Sequence, residues 1–178
     1  MLLETSMIYR GKMLHYMSVL ELVMNIYIAN HFCGKDNDKI SDMQVLILGD
    51  DRMSFKAKMD VFIFIAKKYD LKWYQSYQGI RKELKLDLIH AMEQRNVFAH
   101  RVADNEDGPL LGEKSSKDIV RYVSYKNSIG KEEYTEERFI ELLTMVVDMS
   151  KFIAERWMAD GILSNDLLCL LLMSKLIN

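Results

Sequence analysis

A single proline, Pro109, stands in the 178 residues, and no proline precedes it to break a helix. Proline and glycine are the residues that turn chains sharply. A chain with one of the first and only 8 of the second has little material for the many tight turns of a sandwich or barrel. Leu, Met, Lys and Glu, all good helix formers, are plentiful instead. The implied fold is all-α: an antiparallel bundle of four to five helices, one domain over residues 1–178, with a small β-hairpin inserted between the third and fourth helices.

The apolar spacing supports that reading. From Met1 to Cys33, Leu14, Met17, Val19, Leu20, Leu22, Val23, Ile26 and Tyr27 recur at helical intervals, and Gly34 offers a stop. GKDNDKISD (34–42) reads as a polar turn, and MQVLIL (43–48) is too short to separate a strand from one or two helical turns. Ser54 is a good N-cap for a helix to Tyr69, with Phe55, Met59, Phe62, Ile63 and Ala66 on one face. A third helix is expected from Tyr74 to Ala103, followed by a loop over 104–118 that holds Pro109. IVRYVSY and EEY, separated by KNSIG, suit the hairpin. Thr135 caps a fourth helix to Met158, with Glu136 and Glu137 favourably placed in its first turn, and Ser164 caps a last, almost wholly apolar one.

Charge and cysteine usage narrow the function. With 24 Lys+Arg against 26 Asp+Glu the net charge is −2, so no global field draws the chain to a nucleic-acid backbone or an anionic membrane. Any RNA contact must come from a local patch. Cys33 and Cys169 are far apart and lack His or Cys neighbours at ligand spacing, which argues against a disulfide framework or a zinc site. Asp36, Asp38, Asp50 and Asp51 lack the spacing and closing Glu of a calcium loop. No metal and no cofactor are expected. The N-terminus does not read as a signal peptide. The most apolar stretch, Leu167 to Met173, is far shorter than a membrane span. A cytoplasmic protein is expected.

The third helix carries the one constellation that stands out, Arg95, Asn96 and His100 in AMEQRNVFAHRVA. At about 100° per residue, Leu84, Leu88, Ala91, Phe98 and Val102 form one stripe with Arg95 in its middle. Leu86, Ile89 and Val97 form a second stripe, with Glu93 and His100 inside it, and Glu83, Asp87, His90, Gln94 and Arg101 make the polar remainder. A helix apolar on two sides needs two covering surfaces, and a second subunit is the simplest source of the other one. A homodimer follows. An Arg in a core stripe is costly unless it is paired or reaches solvent, so its presence asks for a reason. Asn96 and His100, at i and i+4, are close enough for the amide to fix the imidazole tautomer.

Arg95, Asn96 and His100 match an Arg, a polar residue, three more residues and a His near a helix end, and with this motif the chain resembles the HEPN superfamily. The long first helix and a second helix opening with Ser54-Phe55 and a lysine resemble it too, over roughly residues 10–158. The resemblance implies a metal-independent endoribonuclease with a composite site at a homodimer interface, acting as a toxin or an antiviral-defence component. It also implies RNA as substrate and a cognate antitoxin, such as a minimal nucleotidyltransferase, as partner. The residue chemistry agrees: attack by the 2′-hydroxyl needs a base, an acid and a cation for the phosphorane, and a His and an Arg fork from each of two subunits supply them. Arg95, His100 and Asn96 are thus the catalytic candidates, with Glu93 in support. The alternative is a non-catalytic HEPN module binding RNA, a nucleotide or a protein through the same cleft.

The remaining candidates are weaker. Arg81, Lys82, Lys85 and Arg101 are candidate RNA contacts, the first three near Trp73, Tyr74 and Tyr77, although a solvated helix start is the simpler account of those three. His90 reads as solvated, His15 and His31 as structural, and the 13 methionines as core filling.

Overall fold

The computed structural model describes residues 2–50, 52–104, 119–124 and 130–158. The chain is mostly helical there, as its composition implies, with one small antiparallel sheet. Helix α1 (Leu2–Cys33) is the axis of the molecule: α3 (Phe55–Tyr69), α5 (Leu84–His100) and α6 (Glu136–Met158) all pack against it. This is why its apolar residues are not confined to one stripe. Tyr16, Val19, Leu20, Val23, Met24, Tyr27 and Ile28 point to several sides and are all buried, while Glu4, Ile8, Gly11, His15, Ser18 and Leu22 keep one stripe of the helix exposed. Gly34 closes α1 at a positive φ, a left-handed conformation that glycine adopts without strain. Its N–H donates to the Asn30 carbonyl at 2.9 Å.

Two further expectations hold at residue level. Ser54 caps α3, its Oγ accepting from Ala57 N at 3.2 Å, and Phe55, Met59, Phe62, Ile63 and Ala66 are all buried. Thr135 caps α6, its hydroxyl accepting from Arg138 N at 3.3 Å. The polar stretch after Gly34, expected as a turn, instead forms a short helix α2 (Asn37–Asp42), because the Asp36 carboxylate accepts from Lys39 N at 3.2 Å and starts it. It runs on into a π-helical turn, Met43–Leu48, which buries only Leu48 and leaves Val45, Leu46 and Ile47 exposed.

The third helix differs most from expectation. Its start is broken into α4 (Leu71–Ser76), a 3-10 turn (Tyr77–Gly79) and a bend, where the Tyr77 carbonyl accepts from both Ile80 N and Arg81 N. Gly79, the poorest helix former of the segment, sits at that break. The helix also ends at His100 rather than Ala103. Val102–Asp104 leaves as strand β1 and pairs with β2 (Val120–Ser124), which pairs in turn with β3 (Gly130–Tyr134). The sheet therefore has three strands where two were expected, and Val102, expected in the core stripe of the helix, is 56% exposed on β1. The Tyr122 hydroxyl donates to the Ser6 carbonyl at 2.8 Å and Arg10 Nη2 to the Arg101 carbonyl at 2.7 Å, which ties the sheet and the end of α5 to α1. The proline loop, the turn of the hairpin and the last apolar helix lie outside the described residues, as does Cys169.

Candidate functional site

Helix α5 positions the motif. Leu84, Leu88, Ala91 and Phe98 are buried, as their stripe requires, and Phe98 packs edge-on or tilted against Tyr122, Tyr134 and Phe139. Arg95, in the same stripe, is only half-buried: it lines a cavity of about 600 Å³ between α1, the end of the π-helical turn and the start of α3. That opening explains how a guanidinium sits in a core stripe. It has no hydrogen bond or ion pair among the described residues.

The other charges around this cavity are already matched. Lys58, 5% exposed, donates from Nζ to Glu21 Oε1. Asp50 accepts from the Arg52 side chain at Nε (2.9 Å) and Nη2 (2.6 Å). It also accepts from the Arg52 backbone N at 2.8 Å. Those bonds, the side-chain ones first, hold the Asp50 carboxyl at about 2. Both carboxylates lining the cavity are thus engaged by other cations, and among the described residues the Arg95 charge is left uncompensated. A guanidinium so placed is able to take an anion, its fork matching two oxygens of a phosphate. The buried Asn25 Oδ1, another lining group, has no hydrogen-bond partner among the described residues. Lys58, Glu21, Asn25 and Asp50 are not identified as site residues by the sequence, although Lys58, one residue before Met59 on the buried face of α3, is a charge where only apolar groups are expected.

His100, Asn96 and Glu93 are exposed. Asn96 and His100 share a face of α5, but the bond their spacing permits is not formed among the described residues, and neither Arg95 nor His100 pairs with Glu93. Five positions separate Arg95 from His100, which is roughly 140° around the helix and about 7.5 Å along it. One subunit therefore presents its Arg and its His on different faces. Of the second apolar stripe, Leu86 is 56% exposed, Ile89 half-buried and Val97 covered by its own chain.

The basic candidates do not form one patch. Arg81 is paired with Asp148 at 3.4 Å. Lys82 and Lys85 are exposed around the start of α5, while Arg101 follows its opposite end. The aromatic residues near the first three are structural: Trp73 stacks on Tyr27 and Phe152, Tyr74 is buried, and the buried Tyr77 donates to Asp87 at 2.9 Å. His90 is exposed, as expected. Gln94, expected on the polar face, is buried and accepts from the Tyr134 hydroxyl, because β3 covers that side of α5.

Among the described residues no group of three or more His, Cys, Asp or Glu side chains is placed to hold a metal ion, and no helix is long and apolar enough to cross a membrane. Comparison with protein-family models, curated proteins and solved structures gives no match to this chain.

Proposed function

We propose that this protein is a HEPN-type endoribonuclease that cleaves RNA without a metal ion, through attack of the 2′-hydroxyl on the adjacent phosphate, in a composite site built by two copies of the chain. The observation that carries the reading is the state of Arg95: half-buried, uncompensated, and open to a cavity large enough for a nucleotide. In this reading Arg95 binds the scissile phosphate and stabilises the charge that grows on it. His100 moves the proton, as base or acid. Asn96 orients the imidazole once substrate is bound, and Glu93 supports it from the preceding turns.

The angular separation of Arg95 and His100 favours a shared site. The composite site needs the His100 of one copy to reach the cavity that Arg95 of the other lines, and two copies related by a two-fold axis supply that contact twice. Lys82, Lys85 and Arg101 then serve as contacts to the RNA backbone on either side of the cut. A role as a toxin or defence nuclease, restrained by a cognate antitoxin, belongs to the same proposal.

The test is cleavage of end-labelled mixed RNA by the purified protein in excess chelator, beside Arg95→Ala and His100→Ala. Products ending in 2′,3′-cyclic phosphate, lost in both folded variants, support the reading. A stable dimer that binds RNA and never cuts it replaces the nuclease with a binding module that uses the same cleft.

A further inference from the structure

The aromatic residues nearest Arg81, Lys82 and Lys85 are taken up by the core, but a different set is not. Phe32, in the last turn of α1, is 61% exposed, and Phe64 and Tyr69, toward the end of α3, are 60% and 56% exposed. The other five phenylalanines are all buried. The exposed rings belong to one patch. His31, itself exposed, meets Phe32 at 5.1 Å and Tyr69 at 4.6 Å. The Lys68 ammonium lies 5.1 Å from the centre of the Tyr69 ring and 5.4 Å from that of Phe64. The His31 contacts are edge-on and tilted rather than stacked, so ring faces stay open. Large rings left together in water mark a surface made for a partner.

The charge around the rings says what kind of partner. Lys67 and Lys68 end α3, Lys72 belongs to α4 and Lys35 follows α1; all four are exposed, with no carboxylate partner among the described residues. The carboxylates nearest them in sequence are already answered, Asp70 by Arg156 at 3.2 Å and the Tyr27 hydroxyl at 2.6 Å, and Asp36 by Lys39 at 3.0 Å. Lys35, His31 and Asp70 line one cavity of about 450 Å³, which places the residues after α1 beside the start of α4. The patch is therefore locally basic in a chain whose net charge is −2. Open ring faces among ammonium groups suit a single strand of nucleic acid, whose bases stack on the rings while its phosphates meet the lysines. A duplex keeps its bases stacked on one another and offers the rings nothing.

We infer that this end of α1 and α3 is a platform for single-stranded RNA, its bases stacking on Phe32, Tyr69 and Phe64 and its phosphates meeting the four lysines. The platform is remote from Arg95: Lys58 lines that cavity, and Lys68 stands ten residues further along α3, about 15 Å at the helical rise. That the strand is RNA rests on the ribonuclease reading; that it is a single strand does not. Holding a strand here requires no cutting at Arg95, so the two fail separately.

The experiment follows the fluorescence anisotropy of short labelled oligouridine and oligoadenine, 2′-O-methylated so that they cannot be cut, on titration with the full chain. The two strands annealed as a duplex, and vesicles of phosphatidylcholine and phosphatidylserine, are the comparisons. Single strands are expected to bind more tightly than the duplex, with an affinity that falls as salt rises. Phe32→Ala and Tyr69→Ala each weaken the single strand about tenfold, whereas Tyr69→Phe, which keeps the ring, binds as the unaltered chain does. Lys67→Ala combined with Lys68→Ala weakens binding and flattens its salt dependence. Circular dichroism checks that these surface variants fold. The inference is overturned by no binding of either single strand at low salt, by a duplex bound as tightly, or by both ring-to-alanine variants binding unchanged. Vesicle binding lost in the same variants, with the strands unbound, makes the patch a membrane contact instead.

Discussion

Arg95 shows how one side chain can serve a core stripe and a site together: its stem lies in the stripe of Leu88 and Ala91, and its head emerges into a cavity whose carboxylates are already taken. In the proposed site a lysine cannot replace it, because a point charge lacks the two-point grip that a guanidinium fork has on phosphate. Arg95→Lys is accordingly predicted to lower the rate of RNA cleavage in chelator by about a hundredfold while circular dichroism is unchanged. The Gln94–Tyr134 bond is a second test at this scale. Tyr134→Phe leaves the buried Gln94 oxygen unanswered and is predicted to cost about 1–3 kcal/mol in urea unfolding. Adding Gln94→Leu removes the orphan, so the double variant should be more stable than the sum of the two single effects predicts. A sum within experimental error would mean the pair is not coupled.

Among the elements, α3 is legible in the sequence because cap, stripe and end agree, and α6 because its Thr135 cap does, while α5 is legible only in its middle. Its ends depend on what is far away: β2 takes Val102 into a sheet, and Arg10 of α1 binds the Arg101 carbonyl. The motif is legible because Arg95 breaks an apolar period. The walls of its cavity are not, since Glu21, Asp50 and Lys58 come from three separate segments and meet only on folding. The π-helical turn contributes one of those walls and is tightly closed at Gly49, where an added Cβ would stand 2.9 Å from the Gln44 carbonyl oxygen and 3.1 Å from that of Val45. Gly49→Ala is therefore predicted to destabilise by about 1–3 kcal/mol, as overpacking does. Gly11→Ala, in α1 with nothing within 4 Å of the new carbon, should stabilise by about 0.5–1 kcal/mol. Urea midpoints moving in opposite directions check the pair.

For the whole molecule, the tyrosines set an alkaline limit. Burial raises Tyr122 from 10.0 to about 12, and burial first, then the Asp70 and Asp87 bonds respectively, raises Tyr27 and Tyr77 as well. A phenol whose pKa is higher in the folded state favours folding below its unfolded value, and that contribution is lost as pH climbs from about 10 through the folded value. Tyrosinate absorbance and helical circular dichroism are predicted to change together above about pH 10, whereas ionisation of these groups in an intact fold would separate them. The central position of α1 carries a further consequence, for synthesis. It leaves the ribosome ahead of every element that covers it, and α6, which packs along it, begins only at Glu136, about a hundred residues after α1 ends. At about 5–20 residues per second, α1 waits roughly 5–20 seconds for the last of its cover, a window in which holding chaperones can act on its exposed apolar face.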